Sequence, residues 1–300
     1  MMAETVRQAP EGPAYANDPS LDERLERNEV VYFPTCPFPL PDGDDRQFMF
    51  EQQLASRAHK NISYNPHTRR ANGMVRHSAE QAERLRALLE TFSLGVTQWL
   101  ARQLPQYGRN WRLDQVSFRP VEEATRRLRT TARNDLLHVD AFPSRPTNGW
   151  RILRVFANVN PSEPRIWVTS DPFPRLLERY GPKAGMPAGP NLAWHLRQKV
   201  DRIFHPGRPA RSAYDSFMLR FHDYLKLNDE FQERCRKRYW AFAPGSAWLC
   251  FTDAVSHAAL RGRFALEHSY FVPPGALAFP ELAPQAVLQR MCGSPVLNAA

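Results

Sequence analysis

Residues 1–28 are polar and carry Pro10, Pro13 and Pro19, which predicts a loose or surface-wrapped segment with little to bury. The first apolar run, Val30-Val31-Tyr32-Phe33, reads as a short strand stopped by Pro34. A proline-rich loop then reaches Asp45, and a helix is expected over residues 46–56. Ser78-Ala79-Glu80-Gln81 has the spacing of a capping box, and Leu85, Leu88, Leu89, Phe92, Val96, Trp99 and Leu100 follow at helical period. That stripe is core material. From Trp111 the period shortens to two. Residues 113–120 alternate, residues 150–160 form a strong apolar strand stopped by Pro161, and Ile166-Trp167-Val168 is another. Residues 171–241 read as mainly helical, with helices opening at Pro174 and covering 191–204 and 213–239, broken by Pro206 and Pro209.

Strand character returns at Gly245, with strands over 247–252, 254–259 and 264–272. Leu260-Arg261-Gly262-Arg263 predicts a tight hairpin turn. Centred on Arg261-Gly262, it would set His257 opposite Leu266 and Val255 opposite His268, turning both imidazoles into one cavity. The order of elements predicts a mainly β fold with α additions: a double-stranded β-helix, or jelly roll, with N-terminal helices and a helical insertion between strands. The expected organisation is a polar segment 1–28, one domain 29–275, and a tail 276–300 that straps the surface. The domain divides into an N-terminal helical part (29–110), a first barrel half (111–170), the insertion (171–244) and a second barrel half (245–275).

Candidate chemistry centres on Leu136-Leu137-His138-Val139-Asp140-Ala141-Phe142. On a strand, His138 and Asp140 would point to one side. His257, far downstream in Val255-Ser256-His257, supplies a second imidazole from the other barrel half. Two histidines and one carboxylate are the donor set that holds a non-haem Fe(II) and leaves open positions. A bare His-x-Asp is common, and a lone histidine on an apolar strand is more often core. The company matters more. Arg154 stands mid-strand among Ile152, Val155 and Phe156, where a buried cation demands an anion. An oxygenase of this type holds 2-oxoglutarate, whose far carboxylate needs such a cation. Arg151, in a Gly149-Trp150-Arg151 setting similar to the glycine-aromatic-lysine of JmjC-type hydroxylases, is the next candidate. Arg119 and Arg165 could complete an anion pocket. His268 is a weaker alternative for the third ligand, or a hydrogen-bond partner of the keto acid.

The net charge of +9 and pI of about 9.7, with Arg far outnumbering Lys, favour an anionic partner. Arg126, Arg127, Arg129 and Arg133 lie just before the His138 segment and would line a mouth; no aromatic interleaves them, which disfavours nucleic acid. Cys36, Cys235, Cys250 and Cys292 are scattered, which argues against a zinc ribbon or disulfide framework and suits a reducing compartment. Lacking an apolar signal core or membrane span, the chain is expected to be cytoplasmic.

Three runs resemble the bacterial Kdo (3-deoxy-D-manno-oct-2-ulosonic acid) hydroxylases. They are Asn134-Asp135-Leu136-Leu137-His138-Val139-Asp140-Ala141-Phe142-Pro143-Ser144-Arg145-Pro146-Thr147, Arg151-Ile152-Leu153-Arg154-Val155-Phe156-Ala157-Asn158-Val159-Asn160-Pro161 and Asp253-Ala254-Val255-Ser256-His257-Ala258. The similarity spans about residues 25–275. It implies an Fe(II)- and 2-oxoglutarate-dependent dioxygenase, using O2 with ascorbate as an optional reductant, that converts Kdo to Ko by hydroxylation at C3 in the lipopolysaccharide inner core. It also implies that His138, Asp140 and His257 hold the iron, that the substrate is Kdo-bearing lipid A, and that the enzyme works peripherally at the cytoplasmic face of the inner membrane. Two alternatives stay open: the same chemistry on a protein or nucleic acid, and a non-catalytic jelly roll that binds a sugar or partner.

Overall fold

The computed structural model describes residues 21–56, 59–75, 78–126, 128–187, 211–293 and 295–297. The alternating segments build two antiparallel sheets. The larger has seven strands: β1 (Val31–Phe33), β2 (Ile62–Asn65), β3 (Arg70–Asn72), β4 (Arg112–Arg119), β5 (Arg151–Asn158), β8 (Ala247–Phe251) and β10 (Ala265–Val272), in the order β1-β8-β5-β10-β4-β2-β3. The smaller holds β6 (Arg165–Pro172), β7 (Arg238–Phe242) and β9 (Val255–Arg261), in the order β7-β6-β9. Before and between them lie α1 (Leu21–Glu26), α2 (Gly43–Phe50), α3 (Ala79–Gln103), α4 (Pro105–Gly108), α5 (Phe173–Tyr180), α6 (Ala213–Leu227) and α7 (Asp229–Arg234); α8 (Pro284–Cys292) follows β10.

Parity sorts the side chains. Leu153, Val155 and Ala157 of β5 face outward with Val116, Phe118, Leu266 and Tyr270, and pack against the apolar stripe of α3. Ser78 caps that helix by accepting a hydrogen bond from the Gln81 amide at 3.1 Å. The other parity points inward. Phe156 and Trp248 stack with ring centroids 5.3 Å apart, and Trp248 stacks on Phe242 of the small sheet at 3.9 Å. With Trp167 and Trp240 these rings close the bottom of the space between the sheets. Above them the same inward positions carry charge, which creates the site. The two facing sheets are the jelly-roll core that the pattern predicts.

The hairpin expected at Arg261-Gly262 does not form. β9 pairs with β6, setting Thr169 opposite His257, whereas β10 crosses to the large sheet between β5 and β4. The turn is a corner between sheets. Gly262 has φ +106°, and a Cβ there would sit 2.8 Å from the Arg165 Cα. The Phe264 amide bonds to the Arg119 carbonyl and the Phe264 carbonyl accepts from Val159, which draws the chain away from β9.

Other departures are smaller. α2 covers Gly43–Phe50 where a helix was expected over 46–56, and β2 and β3 form a short hairpin that the pattern missed. β7 lies in the region read as helical, and the helix expected over 191–204 lies outside the described residues. The tail is more than a strap: α8 buries Val287 and Leu288 against Leu137, Leu176, Leu177 and Phe217. No helix among the described residues is long and apolar enough to cross a membrane.

Candidate metal centre and its charged flank

The His-x-Asp segment is not a regular strand. It makes one antiparallel bridge, in which the His138 amide donates to the His257 carbonyl at 3.1 Å and the His257 amide to the His138 carbonyl at 2.9 Å. The Asp140 amide then donates to the Thr252 carbonyl at 2.8 Å. This pairing brings residues far apart in sequence together, with imidazole centroids 4.7 Å apart. His138 Nδ1 lies 2.7 Å from the Leu136 carbonyl oxygen and His257 Nδ1 2.8 Å from that of Val255. A carbonyl only accepts, so each Nδ1 carries the proton and each Nε2 keeps its lone pair. Those Nε2 atoms face Asp140 Oδ1 at 3.5 and 4.0 Å.

One ligand atom from each of His138, Asp140 and His257 lies within 4.8 Å of the others, and all three residues are buried. Burial lowers the pKa of both imidazoles, with the Lys226 ammonium adding to the effect at each, so they stay neutral and able to ligate. Burial opposes the charge on Asp140, but the Arg154 guanidinium and the flanking imidazoles hold the carboxyl well below its usual range. Two bare imidazole nitrogens and a carboxylate oxygen on one side fit Fe(II).

A chain of buried charges leads inward from Asp140. Arg154 Nη1 donates to Asp140 Oδ2 at 2.8 Å, and its Nη2 lies 2.6 Å from Glu267 Oε1. Arg119 grips Glu267 with two hydrogen bonds of 3.0 and 2.9 Å and reaches Glu123 at 3.0 Å. Arg165 follows, 3.9 Å from Glu123, and donates to the Gly262 carbonyl. Burial resists the Glu267 charge, yet Arg119 and Arg154 pull its pKa down to about 2. The carboxylates Asp140, Glu267 and Glu123 balance the guanidinium groups Arg154, Arg119 and Arg165. Arg154 Nε, Arg165 Nε and Trp167 Nε1 are nevertheless buried without partners among the described residues. Spare cationic donors beside the triad fit a dicarboxylate such as 2-oxoglutarate.

Two expected site residues lie elsewhere. Arg151 has the opposite parity to Arg154: its guanidinium donates to Asp253 at 2.9 Å and Asn28 at 3.2 Å and lies over the Phe251 ring. His268 likewise turns away from the cavity, because β10 pairs with β5 and not with β9. Its Nε2 lies 2.9 Å from Ser93 Oγ on α3, and its ring stacks on Tyr270. The mouth arginines have local work too. Arg126 donates to the His59 and Lys60 carbonyls, Arg133 pairs with Asp135, and Arg129 is exposed. Arg127 lies outside the described residues.

Sequence reasoning passed over Glu267, Glu123, His222, Lys226 and Lys60. Glu267 carried a usable signal, since a carboxylate inside an apolar strand needs a cation as much as Arg154 needs an anion. His222 and Lys226 sit one turn apart on α6. The His222 ring stands edge-on to His138 with centroids 5.1 Å apart, and its Nδ1 lies 2.8 Å from Asp223 Oδ1. Lys226 is only 2% exposed and donates to the Thr131 carbonyl at 3.2 Å; burial, aided by Lys60, pulls its pKa down to about 8.

Comparison with known proteins narrows the chemistry. No curated protein matches the sequence. Three crystal structures of the Kdo hydroxylase KdoO, a non-heme Fe(II) alpha-ketoglutarate dependent dioxygenase, superpose over nearly the whole chain. The cobalt(II) complex shares 34% identity with a TM-score of 0.83, covering 93% of this chain and 91% of the other. The complex with alpha-ketoglutarate and Fe(III) shares 34% at 0.81, covering 92% and 90%. The complex with succinate and Fe(III) shares 33% at 0.81, covering 93% and 90%. The family model described as 3-deoxy-D-manno-oct-2-ulosonic acid (Kdo) hydroxylase matches residues 11–295. With that span, that identity and a donor set suited to iron, the chain belongs to the Kdo hydroxylase family.

Proposed function

We propose that this protein is an Fe(II)- and 2-oxoglutarate-dependent dioxygenase that hydroxylates the Kdo of a lipid A-linked lipopolysaccharide precursor at C3. The observation that carries the reading is the convergence of His138 Nε2, His257 Nε2 and Asp140 Oδ1, backed by Arg154. Iron, 2-oxoglutarate and O2 together supply an oxidant that replaces C–H by C–OH while succinate and CO2 leave. The chain's own residues supply the rest. His138, Asp140 and His257 are the proposed metal ligands. Carbonyl contacts at each Nδ1 hold the imidazoles in the ligating tautomer. Arg154, Arg119 and Arg165 are the proposed cations for 2-oxoglutarate, with Arg154 also fixing Asp140. Arg151 and His268 support the sheet from its outer side. The aromatic floor of Phe156, Trp167, Phe242 and Trp248 keeps water from the inner end.

The net charge of +9 suits docking against the anionic surface of the inner membrane, where lipid A phosphates and the Kdo carboxylate lie. No nucleic-acid partner is proposed. The test is to load the purified protein with Fe(II), add 2-oxoglutarate and air, and supply Kdo-bearing lipid A. Succinate should form with the sugar, and the sugar should gain one oxygen at C3 by mass spectrometry and NMR. Succinate formation that ignores the sugar, with an unmodified lipid, overturns the reading.

A further inference from the structure

We propose that Lys226 and Lys60 form a two-lysine subsite, reaching the metal centre from opposite walls, that takes the carboxylate of the ulosonic acid substrate. This rests on the reading above. Lys226 projects from α6 of the helical insertion, and Lys60 from the loop that leads into β2 of the large sheet. The Lys226 ammonium is buried, and its hydrogen bond goes to the Thr131 carbonyl. Among the described residues no carboxylate lies within ion-pair distance of either lysine. Both ammonium groups nevertheless feel the charge of Asp140 and of each other, and Lys226 acts also on His138 and His257. Two like charges held close together, one of them out of water, oppose folding unless an anion joins them.

The ledger of charge says which anion is missing. Asp140, Glu267 and Glu123 already balance Arg154, Arg119 and Arg165. A ferrous ion adds two positive charges and 2-oxoglutarate removes two, so the loaded inner network stays neutral. The two lysines remain in excess, and their counter-charge must arrive with the substrate. Its chemistry suits the place. In a 3-deoxy-2-ulosonic acid the carboxylate is C1 and the methylene to be hydroxylated is C3, two bonds away. A cation pair that fixes C1 close to the metal therefore fixes C3. A lipid phosphate is many bonds from C3, and gripping it would leave the sugar free to turn.

The test uses the variants K226M and K60M, the conservative K226R, and two substrates: the Kdo-bearing lipid and the same lipid with the Kdo carboxyl methyl-esterified. In air, K226M should raise KM for the acid substrate by about tenfold or more. KM for 2-oxoglutarate should stay within about twofold, and K226R should recover most of the loss. K60M should act in the same direction. The ester should be a poor substrate for the wild type by a similar factor, and K226M should make it little worse, because the two changes remove one contact. An unchanged charge-transfer absorption on anaerobic mixing with Fe(II) and 2-oxoglutarate will show that K226M has folded around an intact centre. A rise in KM for 2-oxoglutarate instead overturns the proposal by assigning the lysines to the co-substrate. Losses from ester and variant that multiply overturn it by pointing to another anion, such as a lipid phosphate. If wild type turns over the lipid and the lysine variants match it, the subsite fails alone; if wild type leaves the lipid untouched, the functional reading fails first.

Discussion

Glu267→Gln tests the charged flank most sharply. Glu267 is 3% exposed and is shared by two guanidinium groups, with Arg119 in a double hydrogen bond and Arg154 at 2.6 Å. Glutamine keeps the volume, so no cavity opens. It removes the charge and turns amide hydrogens toward cationic donors. The Glu267 pKa is held at about 2. Set against an ordinary glutamate near 4.3, that is roughly two units, or about 3 kcal/mol of charge stabilisation in the fold. Removing one partner of a buried ion pair costs about 3–5 kcal/mol, which agrees. The sign follows from linkage. A carboxylate whose pKa is depressed by folding contributes fully above its unfolded value. It loses that contribution as pH falls toward the folded value. The gap between wild type and E267Q should thus be about 3 kcal/mol at pH 7 and shrink as pH falls from about 4.3 toward about 2. Urea unfolding followed by tryptophan fluorescence measures it, with equal slopes required in the two proteins. A gap under about 1 kcal/mol at pH 7 refutes the idea that Glu267 is the anion on which both arginines depend.

Asp140→Asn should weaken Co(II) binding at least about a hundredfold, since a ligand matters more than its outer contacts; unaltered cobalt absorption in a titration removes Asp140 from the metal. His268→Phe should keep Co(II) affinity and the KM for 2-oxoglutarate while costing about 1 kcal/mol from the lost Ser93 contact. A tenfold change in either affinity puts His268 back in the site. Gly262→Ala, which drives a Cβ to 2.8 Å from the Arg165 Cα at φ +106°, should lower stability by about 2–4 kcal/mol and so reduce Tm by several degrees. An unchanged Tm means the corner is slack.

What could be read from the chain, and what could not, divides along the range of the interactions. Alternation needs only neighbours, so β4, β5, β8 and β10 were legible, and so was the wrongness of Arg154 as an unpaired charge in an apolar strand. The partner of a strand is a long-range matter. The turn at Gly262 looks the same locally whether β10 folds back on β9 or crosses to the other sheet. The choice falls to contacts with Asn158 and Arg119 on β5 and β4. That one ambiguity decided the site. Assuming a hairpin put the parity of β10 out by one, so His268 was aimed inward and Glu267 was overlooked, although both stand in the same run. Lys226 was hidden for a related reason: one lysine near the end of an amphipathic helix reads as solvated until Thr131 and Lys60 are packed over it. A bookkeeping of charge supplies what pattern lacks. Once Asp140 and Arg154 are placed inside, every further buried charge must have its opposite within reach. Following that rule from Asp140 leads to Arg154, Glu267, Arg119, Glu123 and Arg165 in turn, and leaves Lys226 and Lys60 waiting for an anion from outside the chain.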